Sequence, residues 1–152
     1  MALDATDRRI LAVLQKRGRI SNADLSEAVN LSPSACHRRV QRLEAEGFIG
    51  AYVALLTPRK LGMASIIYVE ITLRGQTDDI LDAFEKAVAR IPNVQECHLM
   101  AGTADYILKV VAEDTEDFAR IHRQHLSRLP GVTQMQSSFA LRTVISTTAL
   151  PV

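Results

Sequence analysis

Apolar residues recur with helical spacing in short segments near the start of the chain. The first predicted helix begins near Asp4, a good N-cap residue, and ends at Gly18. Its apolar positions, which share one side, are Ile10, Leu11 and Leu14. A second predicted helix begins after the N-cap Ser21 and ends at Asn30. Its inward positions are Leu25, Ala28 and Val29. The pattern therefore predicts two short amphipathic helices in succession.

A third predicted helix follows the second after a tight turn. It begins at Ser32-Pro33, an N-cap followed by a proline at the first helical position, and ends at Gly47. Its apolar stripe consists of Cys36, Val40 and Leu43. Two helices joined by so short a turn are typical of a helix-turn-helix, whose second helix enters the major groove of DNA. We therefore place a winged-type helix-turn-helix DNA-binding domain at residues 1–50.

The polar side of the third helix has the chemistry of a DNA-binding surface. Small hydroxyls at a helix N-terminus hold phosphate, whereas arginine and glutamine side chains reach base edges or phosphates. The predicted DNA-binding residues are Ser32, Ser34, His37, Arg38, Arg39, Gln41 and Arg42. The alternative is a solvated basic helix face, but the spacing of the three helices favours double-stranded DNA as a partner.

Residues 51–63 are predicted to link two domains. The apolar run from Phe48 to Leu56 is typical of a strand, and the segment from Thr57 to Gly62 contains the Pro and Gly that break regular structure. We therefore expect a strand followed by a hinge.

Residues 64–152 contain an internal repeat. The matching segments are Tyr68 with Tyr106, Thr77–Asp79 with Thr115–Asp117, and Arg90–Val94 with Arg128–Val132. Each copy predicts a strand, a helix, a Pro-containing turn and a strand. Two copies give the order βαββαβ of a ferredoxin-like sandwich, so the predicted fold class of the chain is α+β.

The predicted sheet of this second domain has one face without helices. Residues 67–73 alternate between apolar and more polar positions, and two helices cover only one face of a four-stranded sheet. The other face is expected to carry bulky groups, either Tyr68, Tyr106, Leu108 and Val110 or their alternating neighbours. We therefore expect a homodimer in which sheet packs on sheet.

Composition and charge add to this picture. Residues 1–60 have an excess of Lys and Arg and residues 61–152 an excess of Asp and Glu, so a polyanion fits the first domain. No apolar run is long enough to cross a bilayer, and the first residues do not resemble a signal peptide, so we expect a cytoplasmic protein without a membrane partner. Cys36 and Cys97 lack metal-type spacing and are expected to be buried and unpaired.

The chain resembles the Lrp/AsnC family of feast/famine transcription regulators over nearly its whole length. The resemblance rests on Leu3–Leu11, Gly18–Asn22, Leu31–Ser34, Arg39–Val40, Arg42–Glu44, Gly47, Ala101–Tyr106 and Leu129–Val132. It implies a sequence-specific DNA-binding regulator with a RAM/ACT-like second domain. It also implies dimers that assemble further, commonly into octamers, and a small effector, an amino acid of unassigned identity, bound between the sensing domains of neighbouring dimers.

The resemblance also implies which residues bind the effector. The effector loop of the family corresponds to Gly102–Tyr106. The implied effector-binding residues are Leu99, Met100, Gly102, Thr103, Asp105, Thr115, Ser138, Phe139 and Ala140. Asp105 is expected to accept the α-ammonium group, with a turn residue that bonds its own backbone as the alternative. No other cofactor is expected.

Two other functions remain open from the sequence. Some decarboxylases of the haem pathway resemble this two-domain fold, but no grouping of catalytic residues stands out here, so we do not expect an enzyme. His122 and His125 share a helix side, yet no third metal ligand has suitable spacing. An effector-independent DNA-organising protein is the other alternative.

Overall fold

The structure is a computed structural model that describes residues 2–152, and it divides into two compact units. The first unit runs up to Leu55 and also contains the C-terminal segment Ile145–Val152, and the second unit is Leu56–Val144. The sequence predicts that residues 64–152 form one domain. The structure differs there, because the C-terminal segment packs with the first unit.

Three helices build the first unit, each where the sequence predicts one. They are α1 (Ala5–Leu14), α2 (Asn22–Ala28) and α3 (Pro33–Ala45). Asp4, Ser21 and Ser32 cap their N-termini with side-chain oxygens that accept backbone N–H groups. Gly47 follows α3 with a φ of 78°, a left-handed conformation that glycine adopts without strain.

The three helices enclose a small apolar core. Its fully buried members are Ile10, Leu25, Val29, Cys36 and Leu43. Burial of each large aliphatic side chain contributes about 1.5–3 kcal/mol, which holds α3 against the other two helices. Ala28 was predicted to face inward but is exposed, and the hydroxyl-bearing Ser26 is buried instead, donating to the Ala23 carbonyl.

Residues 51–63 do not contain the predicted strand. Residues 50–57 lie in no helix or strand, and a single 3-10 turn at Pro58–Leu61 follows them. A strand needs a neighbour for its backbone hydrogen bonds, and no segment among residues 2–152 pairs with this one. Several of its apolar side chains, such as Val53 and Leu55, are exposed as a result.

The second unit is the predicted ferredoxin-like βαββαβ sandwich. Its elements are β1 (Ser65–Leu73), α4 (Asp78–Val88), β2 (Val94–Leu99), β3 (Tyr106–Ala112), α5 (Thr115–Gln124) and β4 (Val132–Phe139). The strands form one antiparallel sheet in the order β2-β3-β1-β4. Both helices connect strands that are not neighbours in that order, so they lie over the sheet.

The two faces of the sheet differ as the alternation predicts. Ile67, Val69, Ile71 and Leu73 are buried in the main core together with Phe84. Tyr68 lies on the opposite, open face of the sheet and is 42% exposed. The bulky residues that the sequence left open between the two faces are now assigned: Tyr106, Leu108 and Val110 belong to the core. The open face instead carries their neighbours in β3, Ile107 and Lys109.

The internal repeat is therefore not exact within its strands. Tyr68 and Tyr106 correspond in sequence, but one is half exposed and the other almost fully buried. Strand side chains alternate with a period of two, so an offset of one residue moves every side chain to the other face. Tyr106 packs on Phe84 with ring centroids 4.5 Å apart and donates its hydroxyl hydrogen to Glu85. Burial, followed by that carboxylate, raises the pKa of Tyr106.

Candidate DNA interface and effector site

Helix α3 presents a polar side to solvent. Ser34, His37, Arg38 and Gln41 are all exposed. They are three or four residues apart, so they occupy one side of the helix over two turns. The side chains offer hydroxyl, imidazole, guanidinium and amide groups, which is the set that binds phosphates and base edges.

The N-terminus of α3 adds two serine hydroxyls to this surface. Ser32 accepts a hydrogen bond from the Ala35 N–H at 3.3 Å, and its hydroxyl lies 3.4 Å from that of Ser34. Both serines are exposed. Backbone N–H groups in the first turn of a helix point outward and attract anions. This end of α3 therefore supports the predicted roles of Ser32 and Ser34.

The structure places Arg39 and Arg42 differently from the sequence prediction. Arg39 donates to Asp4 at 2.7 Å and to Asp7 at 2.8 Å, and Arg42 also donates to Asp7. Both guanidinium groups are thus ion-paired to the start of α1, and their side chains are only about one third exposed, 31% and 35%. The sequence pattern does not reveal these acidic partners, and DNA binding by Arg39 and Arg42 stays a prediction.

Asp7 is the centre of this ion-pair cluster. The residue is 1% exposed, and its two carboxylate oxygens accept from both arginines and from the Asp4 N–H. Burial opposes ionisation of Asp7, but these hydrogen bonds outweigh it and lower its pKa. At Asp4 the Asp7 N–H and then Arg39 lower the pKa to about 2. The same carboxylates raise the pKa of Arg39.

The predicted effector loop joins β2 to β3. Its ends are fixed by backbone bonds, because Met100 N–H donates to the Asp105 carbonyl and Asp105 N–H donates to the Ile71 carbonyl. Leu99, Met100, Gly102 and Thr103 are exposed. A side chain at Gly102 would meet no atom of the described residues within 4 Å, so the loop has open space around it.

Asp105 does not have the environment predicted for it. The residue is 6% exposed, and its carboxylate accepts from the Leu73 N–H at 2.7 Å and from the Gln76 amide at 2.6 Å. Each oxygen therefore already accepts one hydrogen bond within the chain, and the role of Asp105 as acceptor of an ammonium group stays a prediction. The alternative, a bond to its own backbone, is not what occurs, because the carboxylate holds the end of β1.

The remaining predicted effector residues lie at the other end of the sheet. Strand pairing puts Leu99 and Tyr106 level with Ile71, whereas Phe139 is level with Ile67. Four residues of a strand span about 13 Å. Phe139 packs on Phe118 of α5 with centroids 5.3 Å apart, near the first residue of that helix, Thr115. The predicted effector-binding residues of one chain thus form two separate groups. One group lies within residues 99–105, and the other consists of residue 115 and residues 138–140.

Sequence reasoning missed a polar depression on the open face of the sheet. Its volume is about 100 Å³, and it is lined by Glu70, Thr72, Thr103, Ala104, Gln134 and Gln136. Among the described residues no lysine or arginine pairs with Glu70. The period-two alternation of β1 and β4 places these residues on one face and was the available signal, but the pairing of those two strands could not be read from the sequence.

The histidines and cysteines show no further site. Within residues 2–152 no three His, Cys, Asp or Glu side chains are arranged to hold a metal ion. Cys36 and Cys97 are free thiols, as predicted, but only Cys36 is fully buried and Cys97 is partly exposed. Burial still raises the pKa of Cys97 to about 11. No helix in the described part of the chain is both long and apolar enough to cross a membrane.

Comparisons with known proteins match both units. Residues 3–49 match the family described as winged helix-turn-helix DNA-binding, and residues 66–150 match the Lrp/AsnC ligand binding domain. The leucine-responsive regulatory protein of Escherichia coli K12 is 44% identical over 142 residues, which cover 93% of this chain and 87% of that protein.

Solved structures have the same fold. A transcriptional regulator from Neisseria meningitidis, in complex with L-methionine, aligns with a TM-score of 0.94 and 37% identity and covers 99% of this chain and 97% of its own. An AsnC family transcriptional regulator from Agrobacterium tumefaciens aligns with a TM-score of 0.94 and 33% identity, covering 98% of this chain and 97% of its own.

The ion-pair cluster predicts an acid-sensitive first unit. The pKa values of Asp4 and Asp7 are lower in the folded state than their ordinary value of 3.8. Their contribution to the stability of the unit is therefore complete above pH 3.8 and is lost as the pH falls towards about 2. Asp7→Asn should lower the stability of the unit at pH 7 by about 2 kcal/mol and flatten this acid dependence. Hydrogen exchange of residues 5–45 across that pH range measures both effects. The exposed Asp24→Asn is the control, and equal behaviour of the two variants would contradict the prediction.

The buried bonds of Asp105 predict a structural effect. Asp105→Ala leaves the Leu73 N–H without its partner and should destabilise the second unit by about 1–3 kcal/mol. Urea unfolding followed by circular dichroism measures the change, with the exposed Glu113→Ala as control. A variant of unchanged stability that no longer responds to any amino acid would restore Asp105 as the ammonium acceptor.

Proposed function

The chain belongs to the Lrp/AsnC family, and we propose that it is a sequence-specific DNA-binding transcription regulator controlled by an amino-acid effector. The observation that carries the proposal is the exposed polar side of α3, presented by a helix-turn-helix and joined to a unit of the ligand-binding fold. A promoter-binding assay with and without the effector is the direct test of this function.

In this proposal α3 divides its polar residues between two tasks. Ser34, His37, Arg38 and Gln41 enter the major groove, where Arg38 bonds a base or a phosphate. Arg39 and Arg42 keep their ion pairs with α1 and fix the direction in which α3 points. A helix whose orientation is fixed before binding loses less entropy when it meets DNA.

The effector site is proposed to lie between two copies of the chain. The residues implied by the family form two groups at opposite ends of one sheet, about 13 Å apart. An amino acid is too small to contact both groups in one chain. A loop 99–105 from one copy and residues 138–140 from another can meet around it, which supports the arrangement between neighbouring dimers.

The chemistry of the site favours a free amino acid. The N–H groups of the exposed loop are donors for a carboxylate, and Glu70, beside Thr103 in the polar depression, is an acceptor for an ammonium group. We assign Glu70 this role in place of Asp105, whose oxygens are already engaged. The L-methionine complex of the Neisseria regulator makes L-methionine a suitable first ligand to test.

Assembly is part of the proposal. The open sheet face around Tyr68 and Lys109 is the proposed dimer surface, and the end of that face with Glu70 and Thr72, next to the loop, is left to the effector site. Dimers associate further to an octamer. Two paired copies present two α3 helices to DNA half-sites about one helical turn apart. Because the relatives found are regulators, we propose a role in cytoplasmic transcription control with no catalysis.

The division of labour on α3 predicts different salt dependences for two arginine variants. Arg38→Ala should weaken DNA binding about tenfold or more, and its plot of log affinity against log salt should become shallower by about 0.9 for each phosphate that the variant leaves unneutralised. Arg42→Ala should leave that slope unchanged while lowering stability. Fluorescence anisotropy over a salt series measures the slopes, with Arg123→Ala as the control. An equally shallow slope in Arg42→Ala would contradict the assignment.

A site shared by two chains predicts complementation between variants. Gly102→Trp and Ser138→Trp should each abolish the thermal shift caused by L-methionine or another active amino acid. Mixed oligomers of the two variants should regain about a quarter of the sites, because about one site in four combines an intact loop with an intact 138–140 segment. Calorimetry counts the sites. Mixtures that bind no ligand would place the site within one chain, and a wild-type protein that responds to none of the twenty amino acids would favour the DNA-organising function.

A further inference from the structure

The C-terminal segment Ile145–Val152 is fastened to the first unit by one side chain. The Gln15 amide nitrogen donates to the Leu150 carbonyl at 2.8 Å, and the Leu150 N–H donates to the Gln15 amide oxygen at 2.8 Å. Gln15 is the C-cap residue of α1, so its position is fixed by the helix. A reciprocal pair of this kind satisfies both backbone groups of Leu150 at once, as a neighbouring strand would.

An apolar groove surrounds this attachment. It has a volume of about 210 Å³, and Leu150 and Val152 form part of its wall. The first unit supplies the rest of the apolar wall from Leu11, Leu14, Phe48, Ile49 and Tyr52. Leu150 is still 70% exposed and Val152 43% exposed, so the two hydrogen bonds, and not apolar burial, distinguish this attachment from a terminus that merely lies on the surface.

The path of the chain shows which residues the attached segment follows. The chain enters the second unit after Leu55 and returns to the first unit after Val144. Strand β4 ends at Phe139, and the residues between it and Ile145 form no helix or strand. The attached segment therefore follows closely after Ser138–Ala140, one of the two groups assigned to the effector site.

We propose that Ile145–Val152 is a strap that latches the effector-binding unit to the DNA-binding unit. A single linker would leave the DNA-binding unit free to explore many positions. The strap adds a second connection between the units. Once one α3 of a dimer is bound to its half-site, this restraint raises the effective concentration of the other α3 at the other half-site. Because the strap continues from the effector site, a ligand there has a direct route to the DNA-binding unit. The inference rests on the proposed function for its DNA readout.

Substitutions at the two ends of the latch test the strap. Gln15→Leu removes both hydrogen bonds, and Leu150→Pro removes the backbone donor without touching either unit's core. Hydrogen exchange of residues 141–152 should show a protected Leu150 amide in the wild type that exchanges faster in Gln15→Leu. Both variants should bind a two-half-site duplex, selected from a random pool by the wild type, about tenfold more weakly. Their affinity for the same duplex with one half-site scrambled should be unchanged.

The controls separate the ways in which the test can fail. Gln124→Leu places the same change on the exposed end of α5 and should alter none of these values. The double variant Gln15→Leu with Leu150→Pro should be no weaker than either single variant, because both break the same attachment. An unprotected Leu150 amide in the wild type, or a released strap with unchanged two-half-site affinity, would overturn the inference. Failure of the wild type to bind any selected duplex would instead contradict the proposed function, and the exchange data would still test the strap.

Discussion

The buried carboxylate of Asp7 is the interaction on which the DNA-binding unit depends most. An ionised group with 1% exposure persists only when its charge is neutralised and its oxygens are bonded, and Arg39 and Arg42 provide both. The bonds join the first turn of α1 to the middle of α3. The same residues therefore stabilise the unit and determine which side of α3 faces solvent, so that in the proposed function folding and DNA recognition depend on one cluster of charges.

A comparable constraint shapes the second unit. The Asp105 carboxylate occupies the end of β1, and the backbone bonds at Met100 and Asp105 fix both ends of the loop between β2 and β3. The exposed residues 102–103 are thus carried on a rigid frame. A loop with fixed ends and open space around it is suited to receiving a ligand or a second chain, because it loses less conformational entropy on binding than a loop with free ends.

Local signals in the sequence predicted the elements of the fold well. N-cap residues such as Ser21 and Ser32, the positive φ required at Gly47 and the period-two alternation of β1 each depend on neighbours in the chain, and the structure confirms them. The order βαββαβ followed from the repeat for the same reason. The choice of buried strand face did not follow, because a shift of one residue in strand register exchanges the two faces and the repeat does not reveal such a shift.

The candidate sites were predicted in part only, since their chemistry depends on bonds between distant residues. The polar side of α3 is exposed, as its pattern indicates, but the partners of Arg39 and Arg42 lie more than thirty residues earlier in the chain. Asp105 was named from a motif, whereas its bonds to Leu73 and Gln76 depend on strand pairing. Nothing in the sequence indicated that the C-terminal segment bonds to Gln15, because Gln15 is an ordinary polar residue at the end of a helix.

The opposite placement of Tyr68 and Tyr106 bears on how the two halves of the sensing unit diverged. If both halves had the same strand register, both rings would lie on the same face of the sheet. Because the register differs by one residue, Tyr106 instead packs on Phe84 in the interior and Tyr68 lies on the open face. The asymmetry between two halves of common pattern thus places an aromatic side chain on the face proposed above as the dimer surface, without any added segment.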